Sequence, residues 1–166
     1  LDAENRRIHF AYLKSGRGQT EQTVWPAFGI WRGVFDASHP AVEGALDELA
    51  GAGIGADWGA RMLSRESKLY EPLSYNNGAV WPFLSGFAIL ALYSQHRPDA
   101  AWAYLDPTAD LTFLEPRGYM PELFSGDRDV AADGGWSKRA QVEIAQDIPG
   151  PMTVCAVVLN LAVNKV

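Results

Sequence analysis

The segment "PFLSGFAILALYSQ", Pro82 to Gln95, carries apolar residues almost all the way round a helical wheel. A helix with one wet face keeps polar residues there, so a helix without them must be covered on at least two sides. The chain therefore has to supply further helices to pack around this one, and helical spacing does recur. "SHPAVEGALDELAGAG" places Ser38 as a cap and Pro40 in the first turn. It sets Val42, Ala45, Leu46 and Leu49 on one face and stops at Gly51. "WPAFGIWRGVF" predicts a helix from Pro26, weakened by Gly29 and Gly33. Pro98 and Asp99 open "PDAAWAYLDP", which Pro107 is expected to close, and Pro151 opens "PMTVCAVVLNLAV". "RRIHFAYL" reads as a short strand or an extended lead-in, and strands are otherwise hard to find. Two polar stretches, Gly51 to Gly78 and Glu115 to Gly135, are far longer than the about 4 to 6 residues of an ordinary connection and so are expected to carry function. The order is helix, helix, long loop, helix, helix, long loop, helix, which suggests helical hairpins with functional loops gathered at one end.

Composition narrows what those loops can do. The 166 residues are expected to form one soluble globular unit with a sizeable core, since 48% are apolar and no run is long enough for a bilayer. A net charge of -6, with Lys and Arg scattered among the acids, offers no basic face for a nucleic-acid backbone. Cys155, the single cysteine, excludes an internal disulfide and a thiolate metal cluster. The first residue is not Met and nothing before Arg17 has the apolar stretch of a signal peptide. The sequence is thus expected to be an internal piece of a longer protein. Its compartment stays open, the cytoplasm favoured over periplasm or export.

The six tryptophans are many for this length, and Trp25, Trp58 and Trp81 stand beside Pro, Gly, Asp or Asn in loop signals rather than in helices. Flat aromatic faces in loops suit the C-H faces of sugar rings. Tyr75, Asn76, Asn77, Gly78 and Trp81 crowd the turn before the apolar helix, and one Asn would be enough to cap it. The surplus tyrosine and tryptophan read as a docking surface.

Two acids sit in settings unlike a solvated helix face. Glu122 follows Pro121 and is flanked by Met120, Leu123 and Phe124, a frame that can hold a carboxylate at a fixed angle and partly dry, as a general base requires. The same position also suits a glutamate in the first turn of a short helix. Asp57, between Ala56 and Trp58, reads as a turn residue paired with Arg61. Asp127, Asp129 and Asp133 lack the glycine and closing glutamate of a calcium loop and read as a solvated turn, and His9, His39 and His96 have no partner at metal-ligand spacing. No metal and no cofactor are expected. No G-x-S-x-G elbow, phosphate loop or dinucleotide fingerprint is present. What remains is carboxylate chemistry beside aromatic platforms, which is that of glycoside hydrolysis.

Four segments carry a family likeness. In this order "TEQTVWPAF", "ADWGARMLS", "YEPLSYNNGAVWPF" and "GYMPELFSG" resemble the C-terminal half of the catalytic domain of bacterial glycogen-debranching-like glycosidases. These have an amylo-alpha-1,6-glucosidase domain, and are similar to the processing alpha-glucosidases and mannosylglycerate hydrolases. The likeness spans about Thr20 to Gly126; the Tyr-x-x-Gly-x-Val-Trp-Pro run followed by Pro-Glu-Leu carries most of it. It implies an all-α fold, an (α/α)6 barrel of six helical hairpins, of which this chain supplies roughly the C-terminal half. It implies inverting hydrolysis of alpha-glucosidic linkages, debranching-type alpha-1,6 or related, in oligo- or polysaccharides. It makes Glu122 the general base, the loop from Tyr75 to Trp81 the wall of the terminal sugar's subsite, and Asp57 and Arg61 part of a sugar-binding loop. The family's general acid lies in the half upstream, so the fragment alone is expected to be inactive. The sequence departs from the pattern at Asn76, where many relatives have His, and after about Asp133, where the tail is atypical. Rival readings are a non-catalytic carbohydrate-binding fragment, and a sugar isomerase or epimerase on the same fold, which would need pocket histidines.

Overall fold

A computed structural model describes residues 1–110 and 122–127. The fold is helix-rich: α1 (Pro26–Trp31), α2 (Pro40–Ala50), α3 (Pro82–Ser94) and α4 (Pro98–Asp110), with a pair of two-residue strands, β1 (Gly55–Ala56) and β2 (Gly59–Ala60), between α2 and α3. All four helices start at a proline, whose fixed φ suits the first turn and whose missing N–H costs nothing there.

Helix α3 is the centre of the molecule. Ten of its thirteen residues are buried, which leaves no polar face, and α1, α2, α4 and β2 all pack on it. Its Leu84, Ala88, Ile89 and Leu92 meet Val42, Ala45, Leu46 and Leu49 of α2, Ala27 and Ile30 of α1 and Ala101, Tyr104 and Leu105 of α4 in one core. Each fully buried large side chain stabilises the fold by about 1.5–3 kcal/mol. Three residues, Gln95 to Arg97, connect α3 to α4, with His96 at φ 59, and the two helices form a hairpin.

Local details differ from expectation where tertiary contacts intervene. The cap of α2 is His39, whose Nδ1 accepts from the Ala41 N–H at 3.1 Å, while Ser38 turns back to Asp36 at 2.8 Å. Pro107 does not close α4. The helix runs on to Asp110 because buried Tyr104, Leu105 and Thr108 fix its last turns, Thr108 donating to the Trp58 carbonyl at 3.3 Å. The N-terminal residues are an extended lead-in with isolated bridges, Asp2 to Arg7 and Tyr12 to Gly18, and form no named strand. They lie so close on α2 that a Cβ on Gly44 would stand 1.7 Å from the Arg6 carbonyl oxygen. Arg7 bonds Glu48 at 2.9 Å and His9 faces Asp2 at 3.3 Å. The Pro151 helix, Cys155, the loop beyond Asp127 and the tail lie outside the described residues, as does nearly all of the loop before Glu122.

Tyr104 ties α4 to the end of α2 by donating its hydroxyl to the Leu49 carbonyl. Burial pushes this phenol well above the ordinary tyrosine value of 10.0, with Arg61 pulling weakly the other way. Below about pH 10 both folded and unfolded chains hold the proton and the stability is complete. Above it only the unfolded chain releases the proton, so stability should fall by about 1.4 kcal/mol per pH unit. Denaturant midpoints measured across this range should show at least that slope, and Tyr104→Phe should make it shallower. Identical profiles for the two proteins would refute the assignment.

Candidate functional site

Between α2 and α3 the chain builds a floor of extended segments instead of an open polar loop. Thr23 bridges Leu63, Arg61 bridges Val80 and Val80 bridges Phe124, so four segments lie side by side in the order 22–24, 61–64, 79–80 and 124. Backbone pairs hold them, among them Val24 N–H to Met62 O at 3.1 Å, Met62 N–H to Ala79 O at 3.0 Å and Phe124 N–H to Val80 O at 2.9 Å. This ladder brings Glu122 to the residues before α3. Glu122 itself lies in a bend leading into the bridged segment, outside any helix, which removes the first-turn alternative.

Trp58 and Arg61, expected to face a ligand, are builders of this floor. Trp58 is 4% exposed and packs with Val80 and Phe124 in a small second cluster, its indole N–H donating to the Ser125 carbonyl at 2.7 Å. Arg61 is 5% exposed and spends its donors on carbonyls: Gly126 at 2.6 Å, Ala52 at 3.1 Å, and Gly55. A planar guanidinium can satisfy several converging carbonyls at once, which fixes the hairpin of β1 and β2 against the segment that carries Glu122. Asp57 is exposed at the hairpin's tip, paired β-residues Ala56 and Gly59 on either side.

Gly78 has a steric reason. A Cβ on Gly126 would stand 2.1 Å from the Gly78 carbonyl oxygen, and one on Gly78 would stand 2.6 Å from the Tyr70 ring. Hydrogen at Gly126 lets the two backbones pass, and hydrogen at Gly78 leaves room for the Tyr70 ring. The Tyr70 hydroxyl stands 2.8 Å from that notional Cβ on Gly126; burial pushes its pKa above the usual tyrosine value and Arg61 offsets part of that. The loop from Glu71 to Gly78 closes on itself through Glu71 N–H to Asn77 O at 3.0 Å and is fastened by Gly126 N–H to Pro72 O at 2.8 Å. Its tip is in water, with Asn76 and Asn77 exposed.

That loop sets Tyr75 over Glu122. The Tyr75 hydroxyl donates to Glu122 Oε1 at 2.9 Å. The Tyr75 and Trp81 rings meet edge to face, centroids 4.4 Å apart at 80°, and the Trp81 indole N–H donates to the Tyr75 carbonyl at 3.0 Å. Glu122 is 7% exposed and its Oε2 has no hydrogen-bond partner among the described residues. Loss of solvent, then the hydrogen bond and charge of Glu122, raise the Tyr75 phenol above its usual value, so it stays a donor at neutral pH. The arrangement is a dry carboxylate with one oxygen occupied and one acceptor free, beside an aromatic pair.

Of the residues singled out in the sequence, Tyr75, Trp81 and Glu122 are in contact, Gly78 lies beneath them, and Asn76 and Asn77 sit on the loop above. Trp25, 47% exposed, caps α1 at the far segment of the ladder, on the order of 14 Å from residue 124 by ladder spacing. Sequence reasoning missed Tyr70, Phe124 and Gly126 as builders of the site; the glycine in "LFSGD" was the available signal for a close backbone approach. Among the described residues no group of three or more His, Cys, Asp or Glu is placed to hold a metal, and Asp129 and Asp133 lie outside them. An open polar cavity of about 210 Å³, lined by Arg7, Gln22, Ser64 and Glu66 among others, lies at the other edge of the ladder. Its one guanidinium is taken up by Glu48 and the Thr20 carbonyl.

No protein-family model matches the chain, and no curated protein matches it. No helix of the described residues is long and apolar enough to cross a membrane.

Proposed function

We propose that this chain is the C-terminal half of an (α/α)6-barrel glycosidase that hydrolyses alpha-linked glucose or a related sugar with inversion, Glu122 serving as general base. The observation that carries the reading is the buried Glu122 carboxylate, its Oε2 without a hydrogen-bond partner among the described residues, beside the Tyr75–Trp81 pair. A dry, oriented carboxylate is what activates water, and an exposed aromatic face is what a sugar ring packs on. The α3–α4 hairpin fits a ring of such hairpins, and Phe28 on α1 and Trp102 on α4, 48% and 54% exposed, are surfaces that further hairpins would cover. Inversion also needs an acid, with the carboxyls about 6.5–9.5 Å apart. In this reading the acid comes from the upstream half.

One observation favours a second reading, a non-catalytic carbohydrate-binding fragment: among the described residues Glu122 is the one buried carboxylate. The isomerase alternative loses support, since His39 caps α2, His9 faces Asp2 and the Gln19 carbonyl, and His96 makes the turn after α3.

Titrating the chain with maltose while following tryptophan fluorescence should give a saturable change, and Trp81→Phe should weaken affinity by up to about tenfold through the lost aromatic face. An unchanged signal and affinity would make Trp81 ordinary core and remove the sugar pocket. Assaying reducing sugar in the full-length protein separates the two readings, since binding without release selects the second.

A further inference from the structure

We propose that Tyr75 is the positioning residue of the site: its hydroxyl fixes one oxygen of Glu122 and leaves the other as the working acceptor. This rests on reading Glu122 as the functional carboxylate. Rotation about the last bond of a glutamate is broad, so an untethered carboxylate sweeps its lone pairs over many directions. A base must present them in one.

Here a chain of contacts runs from the core to the carboxylate. Trp81 stands at the start of α3, whose burial fixes it. Trp81 then holds Tyr75 twice, by the edge-to-face ring contact and by its indole N–H on the Tyr75 carbonyl. Tyr75 in turn holds Oε1 at 2.9 Å. Glu122 is more than nine-tenths buried, and among the described residues its Oε2, itself out of contact with solvent, has no hydrogen-bond partner. A dry acceptor calls for a donor. A ligand that reaches Oε2 would therefore bring a donor, as water or a sugar hydroxyl does, rather than an anion. Loss of solvent and then Glu122 make the Tyr75 phenol harder to ionise, which keeps its own proton available for Oε1. Its hydroxyl proton is thus committed to the carboxylate.

Tyr75→Phe keeps the ring on Trp81 and removes only the O–H. In the full-length protein its turnover should fall by about tenfold or more, the worth of a hydrogen bond to a charged group, while maltose affinity stays within about threefold. Unfolding curves matching those of the parent would exclude misfolding. A readout independent of activity is the ultraviolet titration of tyrosinate: the tyrosine missing from Y75F should titrate above the ordinary range in the parent and move down in E122Q. If Y75F turns over within about twofold of the parent while E122Q is inactive, this inference alone falls. A tenfold loss of maltose affinity in Y75F would make Tyr75 a sugar ligand, and a tyrosine titration indifferent to E122Q would mean that the Glu122 charge does not act on Tyr75; either overturns it. Normal turnover in E122Q removes the base, and the positioning role with it.

Discussion

Replacing Glu122 with Gln in the full-length protein should lower turnover by about a hundredfold to ten-thousandfold and change substrate binding little. The amide oxygen of Gln can still accept from the Tyr75 hydroxyl, so the hydrogen bond that packs the loop over the site survives. What is lost is the group that takes a proton from water. A small anion such as azide attacks without deprotonation, so with an activated glycosyl fluoride it should restore part of the rate in E122Q. Parallel unfolding curves control for misfolding. Near-normal turnover in E122Q would reduce Glu122 to a buried structural carboxylate, and the base would have to be sought elsewhere.

The second large effect is on the support of the site. Phe124 is fully buried, but in the small cluster with Trp58 and Val80 rather than in the core around α3. Phe124→Ala should cost about 3–5 kcal/mol, the usual price of removing a buried aromatic ring. Segment 122–127 leans on that ring, on the Trp58 and Arg61 bonds to Ser125 and Gly126, and on the bridge to Val80. Losing the ring should therefore loosen Glu122 before it unfolds the helices. Hydrogen exchange should show early opening of the Phe124 and Val80 amides, with α3 still protected and the Tyr75 titration returned toward its ordinary range. Ile89→Ala, in the centre of the main core, should instead lower protection everywhere. Uniform loss of protection in both variants would show that the site is not a separate unit of stability.

The helices were legible because their signals are local. Pro26, Pro40, Pro82 and Pro98 mark the starts, Gly51 marks a stop, and the unbroken apolar character of α3 is itself the statement that it is surrounded. The exceptions are where a tertiary contact outbid a local rule. Thr108 and Tyr104 hold α4 past Pro107, and the crossing of Arg6 over Gly44 has no counterpart in the helical pattern.

The site divides along the same line. Residue types and their order drew attention to Tyr75, Gly78 and Trp81, because a tyrosine, a glycine and a tryptophan in one turn exceed what capping needs, whereas Glu122 stood open between a base and a first-turn glutamate until the family resemblance favoured the base. Which way each side chain faces was not in the sequence. Trp58 and Arg61 sit in a segment that reads as exposed loop, yet both turn inward: the ladder of 22–24, 61–64, 79–80 and 124 closes only through pairings between residues far apart along the chain. The sequence by itself determined the helices, their spacing and the residue types available to a site. The tertiary structure alone decided that Glu122 meets Tyr75 and that Arg61 serves carbonyls, since a hydrogen bond across 47 residues or a guanidinium bond across 65 depends on how the segments between them pack.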